Sequence, residues 1–164
     1  MVTVGRLILL TIFITTAGCS LFISSPDPKA SKDKNLSVNF SYDPWIATDA
    51  RESDFAWAHE RAGDVMMVNS FCGEFQSLPL ETLALKTFQD YQGFRPLGKN
   101  TLEWKGREAF EMEAEAFVDG VKVIIHLRNY RRDHCYYDFV LISPRGRTEE
   151  SLKAFNTMLS GVRF

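Results

Sequence analysis

The dipeptide Asp119-Gly120 separates two runs, Arg107 to Val118 and Val121 to Tyr130, that each alternate with a period of two. A two-residue Asp-Gly connection between such runs signals a β-hairpin, because both residues tolerate the left-handed backbone of a primed turn. Folding the runs about it places Ala116 opposite Val123, Ala114 opposite Ile125 and Met112 opposite Leu127. The other face then carries Glu115 opposite Ile124, Glu113 opposite His126 and Glu111 opposite Arg128. One face is apolar and the other sets acid against base, so a slip of one residue would drive charges into the core. An antiparallel sheet follows.

Cys135 to Ile142 reads as a third long strand. With Arg131-Arg132-Asp133 as a three-residue turn, Tyr130 lies beside His134, Leu127 faces Tyr137, Ile125 faces Phe139 and His126 faces Asp138. A polar row Glu113, His126, Asp138 would then cross three strands. Upstream strands are expected at Leu36 to Phe40, Phe55 to His59, Val65 to Phe71 and Thr101 to Trp104. One helix should begin near Pro79, present Leu80, Leu83, Ala84, Thr87, Phe88 and Tyr91 as a stripe, and end by Gly93. A second should start at a Thr148 cap, bury Leu152, Phe155, Met158 and Leu159, and end at Gly161. This order implies an α+β fold: an antiparallel sheet of about six to seven strands, one face covered by two main helices.

The N-terminus carries a different signal. Arg6 precedes the apolar run Leu7 to Phe13, and small residues lead through Ala17-Gly18 to Cys19. This resembles bacterial lipoprotein signal peptides, although Thr16 stands where an aliphatic residue is usual. The resemblance implies cleavage after residue 18 and lipidation of Cys19, with membrane attachment through acyl chains. The body would then be extracytoplasmic, and in a Gram-negative cell Ser20 after the cysteine implies the outer membrane, facing the periplasm. The rival is an uncleaved anchor, since Leu7 to Pro26 is uncharged and roughly 20 apolar residues cross a bilayer. Thr, Ser and Gly dilute the run, which favours cleavage. Residues 19–35 read as lipidated terminus and flexible tether, and 36–164 as a single domain.

Losing residues 1–18 removes Arg6 and leaves 18 basic against 21 acidic side chains, a balance that argues against nucleic-acid binding. Of three cysteines, Cys72 and Cys135 then remain as an even pair in an oxidising compartment, and a structural disulfide is favoured over a reactive thiol. His134 and Cys135 are neighbours in sequence and would point to opposite faces of one regular strand. A dyad of Cys72 with His126 or His134 across strands stays open. His59, His126 and His134 lack the spacing of a metal site, and no cofactor motif is present. The polar row reads functionally as a proton shuttle and structurally as cross-strand charge pairs; without a nucleophile beside it, the structural reading prevails.

Leu102-Glu103-Trp104-Lys105-Gly106-Arg107-Glu108-Ala109 leading into the Asp119-Gly120 hairpin, together with the terminal helix, resembles PsbP-like domains. That resemblance implies a sheet-and-helix sandwich and a non-enzymatic accessory or binding module, and transfers no functional residue. The leading expectation is a non-catalytic envelope lipoprotein with an envelope protein partner and a sheet edge as contact surface. A carrier of a small apolar ligand, suggested by 13 phenylalanines, is the alternative; a thiol or histidine enzyme comes third.

Overall fold

The computed structural model describes residues 30–49, 52–73, 78–144 and 149–164. The signal segment 1–18, Cys19, the tether up to residue 29 and the expected cap Thr148 lie outside the described residues. In chain order the elements are β1 (Ser37–Val38), β2 (Trp45–Ala47), β3 (Phe55–His59), β4 (Val65–Cys72), α1 (Leu80–Phe88) and β5 (Gln92–Trp104). They continue with β6 (Arg107–Val118), β7 (Val121–Arg132), β8 (Cys135–Ser143), α2 (Glu149–Gly161) and β9 (Val162–Arg163). Seven strands form one antiparallel sheet in the order β2-β3-β4-β8-β7-β6-β5, and β1 pairs with β9 in a second, two-stranded sheet. The α+β fold expected from the sequence is the fold observed.

The central hairpin forms in the expected register, with Ala116 on Val123, Glu113 on His126 and Glu111 on Arg128. Asp119 and Gly120 both adopt positive φ, 51° and 78°, as the tight turn requires. Strand β5 is longer than Thr101 to Trp104, beginning at Gln92, with irregular pairing between Gln92 and Arg95 and between Pro96 and Gly98. Pro96 and two glycines hid that first half from a propensity reading.

The β7–β8 pairing departs from expectation. The turn is the two-residue Asp133-His134, with Arg132 on Cys135, Asn129 on Asp138, Leu127 on Val140 and His126 on Leu141. This differs by three residues from the expected pairing, an odd number, so each β8 side chain moves to the other face. Asp133 takes φ 54°, the left-handed conformation a short turn demands. All nine β8 residues are buried, so no polar alternation existed to fix the register.

That burial arises because the helices cover opposite faces, not one. On the first face α1 packs Leu80, Leu83, Ala84 and Phe88 against Met67, Met112, Ile125, Leu127 and Val140. On the second, α2 packs Ala154, Phe155, Met158 and Leu159 against Met66, Val68, Tyr137, Phe139 and Leu141. Leu36 and Val162 join the second core, which is why β1 closes on β9 beside α2 instead of extending the main sheet. The body also begins before Leu36. Ser31 pairs with Cys72, the Asp33 amide donates to Ser70 Oγ at 2.8 Å, and the Tyr137 hydroxyl donates to Asp33 at 2.6 Å.

Where α2 runs into β9, the Asn39 amide donates to the Gly161 carbonyl at 3.1 Å. A β-carbon at Gly161 would lie 2.0 Å from the Asn39 carbonyl oxygen, so the backbones touch only because the side chain is absent. Gly161→Ala should destabilise the protein by about 1–3 kcal/mol, the usual cost of overpacking. A urea midpoint equal to wild type would show that this contact is dispensable.

Candidate functional site

Strands β6 and β7 present two contrasting faces. On the side of α2, beyond the helix, Glu111, Glu113 and Glu115 of β6 stand half-exposed opposite β7. Arg128 donates to Glu111 through Nε at 2.8 Å and also through Nη2. Glu115 is held by Lys122 at 2.6 Å and Arg95 of β5 at 2.9 Å, contacts that keep its carboxyl below the ordinary range, Lys122 foremost. His126 lies opposite Glu113, 4.0 Å from a Glu111 oxygen, with its ring edge-on to Phe155 of α2. These are cross-strand charge pairs of the kind that each contribute roughly 0.2–1 kcal/mol.

Asp138 is not part of that row. The β7–β8 register turns its carboxylate to the α1 side, between Asn129 on one neighbouring strand and Asn69 on the other. It is fully buried. Asn129 Nδ2 donates to an Asp138 oxygen and to the Tyr136 hydroxyl, and Thr87 Oγ1 of α1 lies 3.5 Å from the other oxygen while donating to Leu83 at 3.0 Å. Burial pushes the Asp138 carboxyl up to about 7, against the opposing pull of bonds from Tyr136, Asn129 and Thr87. The Tyr136 hydroxyl is raised well above its ordinary value, first by burial and then by Asp138. Asn69 Nδ2 and Asn129 Oδ1 are buried without a hydrogen-bond partner. No pattern in the sequence points to this cluster, since Asp138, Asn129 and Asn69 each look like solvent-side residues of a half-exposed strand.

The third arrangement lies at the end of the sheet, where a disulfide joins Cys72 and Cys135 as expected. Its geometry follows from the pairing. The Cys72 amide donates to Ser31 at 2.7 Å and its carbonyl accepts from Ser31 at 3.0 Å, so both backbone groups point away from β8. Cys72 and Cys135 therefore form a non-hydrogen-bonded pair, the narrow kind, with α-carbons 4.0 Å apart. His134 sits in the turn and not within a regular strand, so the rule of opposite faces does not separate it from Cys135. The Gly73 amide donates to the His134 carbonyl at 3.0 Å, and the donor atoms of Cys72, His134 and Cys135 all lie within 4.8 Å of one another. Both cysteines are buried and His134 is exposed.

No protein-family model matches the sequence, and no curated protein is similar to it. Solved structures are similar in fold. LpqN, involved in cell envelope biogenesis of Mycobacterium tuberculosis, superimposes with a TM-score of 0.56 over 84% of this chain and 85% of its own, at 11% identity. Cyanobacterial PsbP (CyanoP) from Synechocystis gives 0.51 over 86% and 98%, at 12% identity. A Pseudomonas aeruginosa protein of unknown function gives 0.45 over 79% and 80%, at 11% identity. The PsbP-like architecture read from the sequence is thus matched by a PsbP structure; at these identities the likeness is one of fold.

The buried acid makes stability depend on pH. A carboxyl whose folded value exceeds its unfolded one binds its proton more tightly when folded. Its contribution is full below the unfolded value, near 4, and is lost as pH rises to about 7. Denaturation midpoints should therefore fall between pH 5 and 7, and Asp138→Asn should flatten that slope. An unchanged slope in the variant would assign the pH dependence to other groups.

Proposed function

We propose that this chain is a lipid-anchored, extracytoplasmic accessory module of a bacterial cell envelope that engages a protein partner and carries out no catalysis of its own. The observation that carries this reading is the Cys72–Cys135 disulfide, because such bonds persist in oxidising compartments outside the cytosol. The lipoprotein-like run ending at Cys19 supplies the anchor. The shared fold with LpqN, a protein of envelope biogenesis, supports the setting.

The interior argues for a partner over a small ligand. The aromatic richness that suggested a carrier is used in packing, since Phe88, Phe139, Phe155, Tyr130, Tyr136 and Tyr137 are all fully buried. What the fold leaves open is the edge strand β5, which pairs with β6 alone among the described residues. An edge offers a row of backbone donors and acceptors to an added strand. The irregular first half of β5 blunts that offer; Lys99 to Trp104 pairs regularly. Leu97 and Phe117 add exposed apolar surface at 43% and 39% accessibility.

Two experiments test the two parts. Cells fed labelled palmitate should yield a labelled, membrane-associated protein, and Cys19→Ala should lose the label and retain residues 1–18. An unlabelled wild-type protein in the cytosolic fraction would refute the anchor. Photo-crosslinkers placed at Asn100 on β5 and at Lys153 on the exposed side of α2 should differ, the first giving one discrete adduct in intact cells and the second none. Equal adducts from both positions would refute the edge as the contact surface.

A further inference from the structure

We propose that Cys72, His134 and Cys135 form a redox-gated binding site for a thiophilic d10 cation, Zn²⁺ or Cu⁺, closed while the disulfide stands and opened when it is reduced. The argument starts from the turn. Because Asp133-His134 is the whole β7–β8 connection, the imidazole projects from the end of the sheet and comes within 4.8 Å of both sulfurs. Cation bonds of about 2.3 Å to sulfur and 2.0 Å to nitrogen place donor atoms about 3.5–3.8 Å apart. The donors lie within 4.8 Å of one another with the disulfide closed, so side-chain rotation after reduction has about an ångström to close. Two thiolates with one imidazole are a soft, nitrogen-containing set that suits Zn²⁺ or Cu⁺ and disfavours Ca²⁺ or Mg²⁺.

The surroundings fit such a gate. Backbone pairing holds both sulfur-bearing residues independently of the disulfide: Cys72 is bonded to Ser31, and β4 and β8 are paired along eight residue pairs from Val65–Ile142 to Cys72–Cys135. The scaffold therefore has reason to persist after reduction. His134 is exposed while the cysteines are buried, so a cation from solvent meets the imidazole first. Opening the gate takes two electrons and two protons from a dithiol reductant, which becomes a cyclic disulfide as Cys72 and Cys135 become thiols. Binding then displaces each thiol proton to solvent, while His134 ligates as the neutral imidazole.

The test uses the full chain carrying Cys19→Ser, so that its outcome is independent of the anchor and of any thiol there. Protein is reduced with a dithiol, freed of it anaerobically and titrated with Co²⁺ as a reporter for Zn²⁺, and separately with Cu⁺ against a chromophoric chelator. One equivalent should bind the reduced protein, with sulfur-to-cobalt absorption in the Co²⁺ arm if the site accepts divalent ions, or binding in the Cu⁺ arm alone if it is trigonal. The disulfide form should bind neither. His134→Ala keeps both sulfurs and should weaken binding by more than the roughly 10–100-fold typical of losing a supporting residue. Three results would overturn the site: no binding in either arm, affinity unchanged by His134→Ala, or binding only with loss of the aromatic near-ultraviolet dichroism that reports the folded cores.

Discussion

Strand β8 is covered on both faces, and most of what distinguishes this protein follows from that. It lies between β4 and β7, with α1 on one side and α2 on the other, so its alternate residues feed two separate cores. Tyr137, Phe139 and Leu141 go to α2, while Tyr136, Val140 and Ile142 go to the α1 side. Asp138, caught in the same alternation, has no route to solvent. Its neighbours Asn69, Asn129, Tyr136 and Thr87 then follow as a polar network that partly compensates for burying an acid. Such a network costs more than an apolar replacement when incompletely satisfied, and two of its amide atoms are unpaired.

The same contrast explains which parts of the molecule were legible in the sequence. Strands β6 and β7 each have one apolar and one charged face, so the pattern itself enforced their register, and every expected pair formed. In β8 both sets of residues are apolar apart from Asp138 and the terminal Ser143, and a three-residue slip leaves the pattern looking equally good. The same slip takes Asp138 out of the candidate row, because the row through His126 requires Asp138 to share a face with it and Leu141 stands there instead. The expectation that both helices cover one face fails for a related reason. An amphipathic helix shows that it covers something, and only strands that are apolar on both sides, such as β4 and β8, show that two layers are needed. The disulfide needed no register: two cysteines remaining after Cys19 left one pairing.

The two edges of the main sheet are unequal. One edge of the sheet, β2, is three residues long, while the other, β5, runs for thirteen. Proteins blunt long edges with proline, charge and irregular pairing, and β5 has all three in its first half. Its second half keeps regular geometry, Lys99 to Trp104 pairing with Met112 to Arg107, and there Glu111 of β6 is held by Arg128.

The short β7–β8 turn brings the remaining features together at one end of the sheet. A three-residue turn would have kept His134 in a strand, facing away from Cys135; a two-residue turn puts it beside both sulfurs. The same end receives the N-terminal segment, since Ser31 bonds to Cys72 and Asp33 accepts from Tyr137. Whatever changes the state of the Cys72–Cys135 pair thus acts where the chain leading from Cys19 enters the body. A bond that closes a separation of 63 residues stabilises mainly by restricting the unfolded chain, by about 2–4 kcal/mol. Reduction would remove that restriction without cutting the backbone pairing of β4 to β8. The metal site proposed above requires that pairing to outlast the bond, so that one pair of cysteines serves as a brace in one redox state and as ligands in the other.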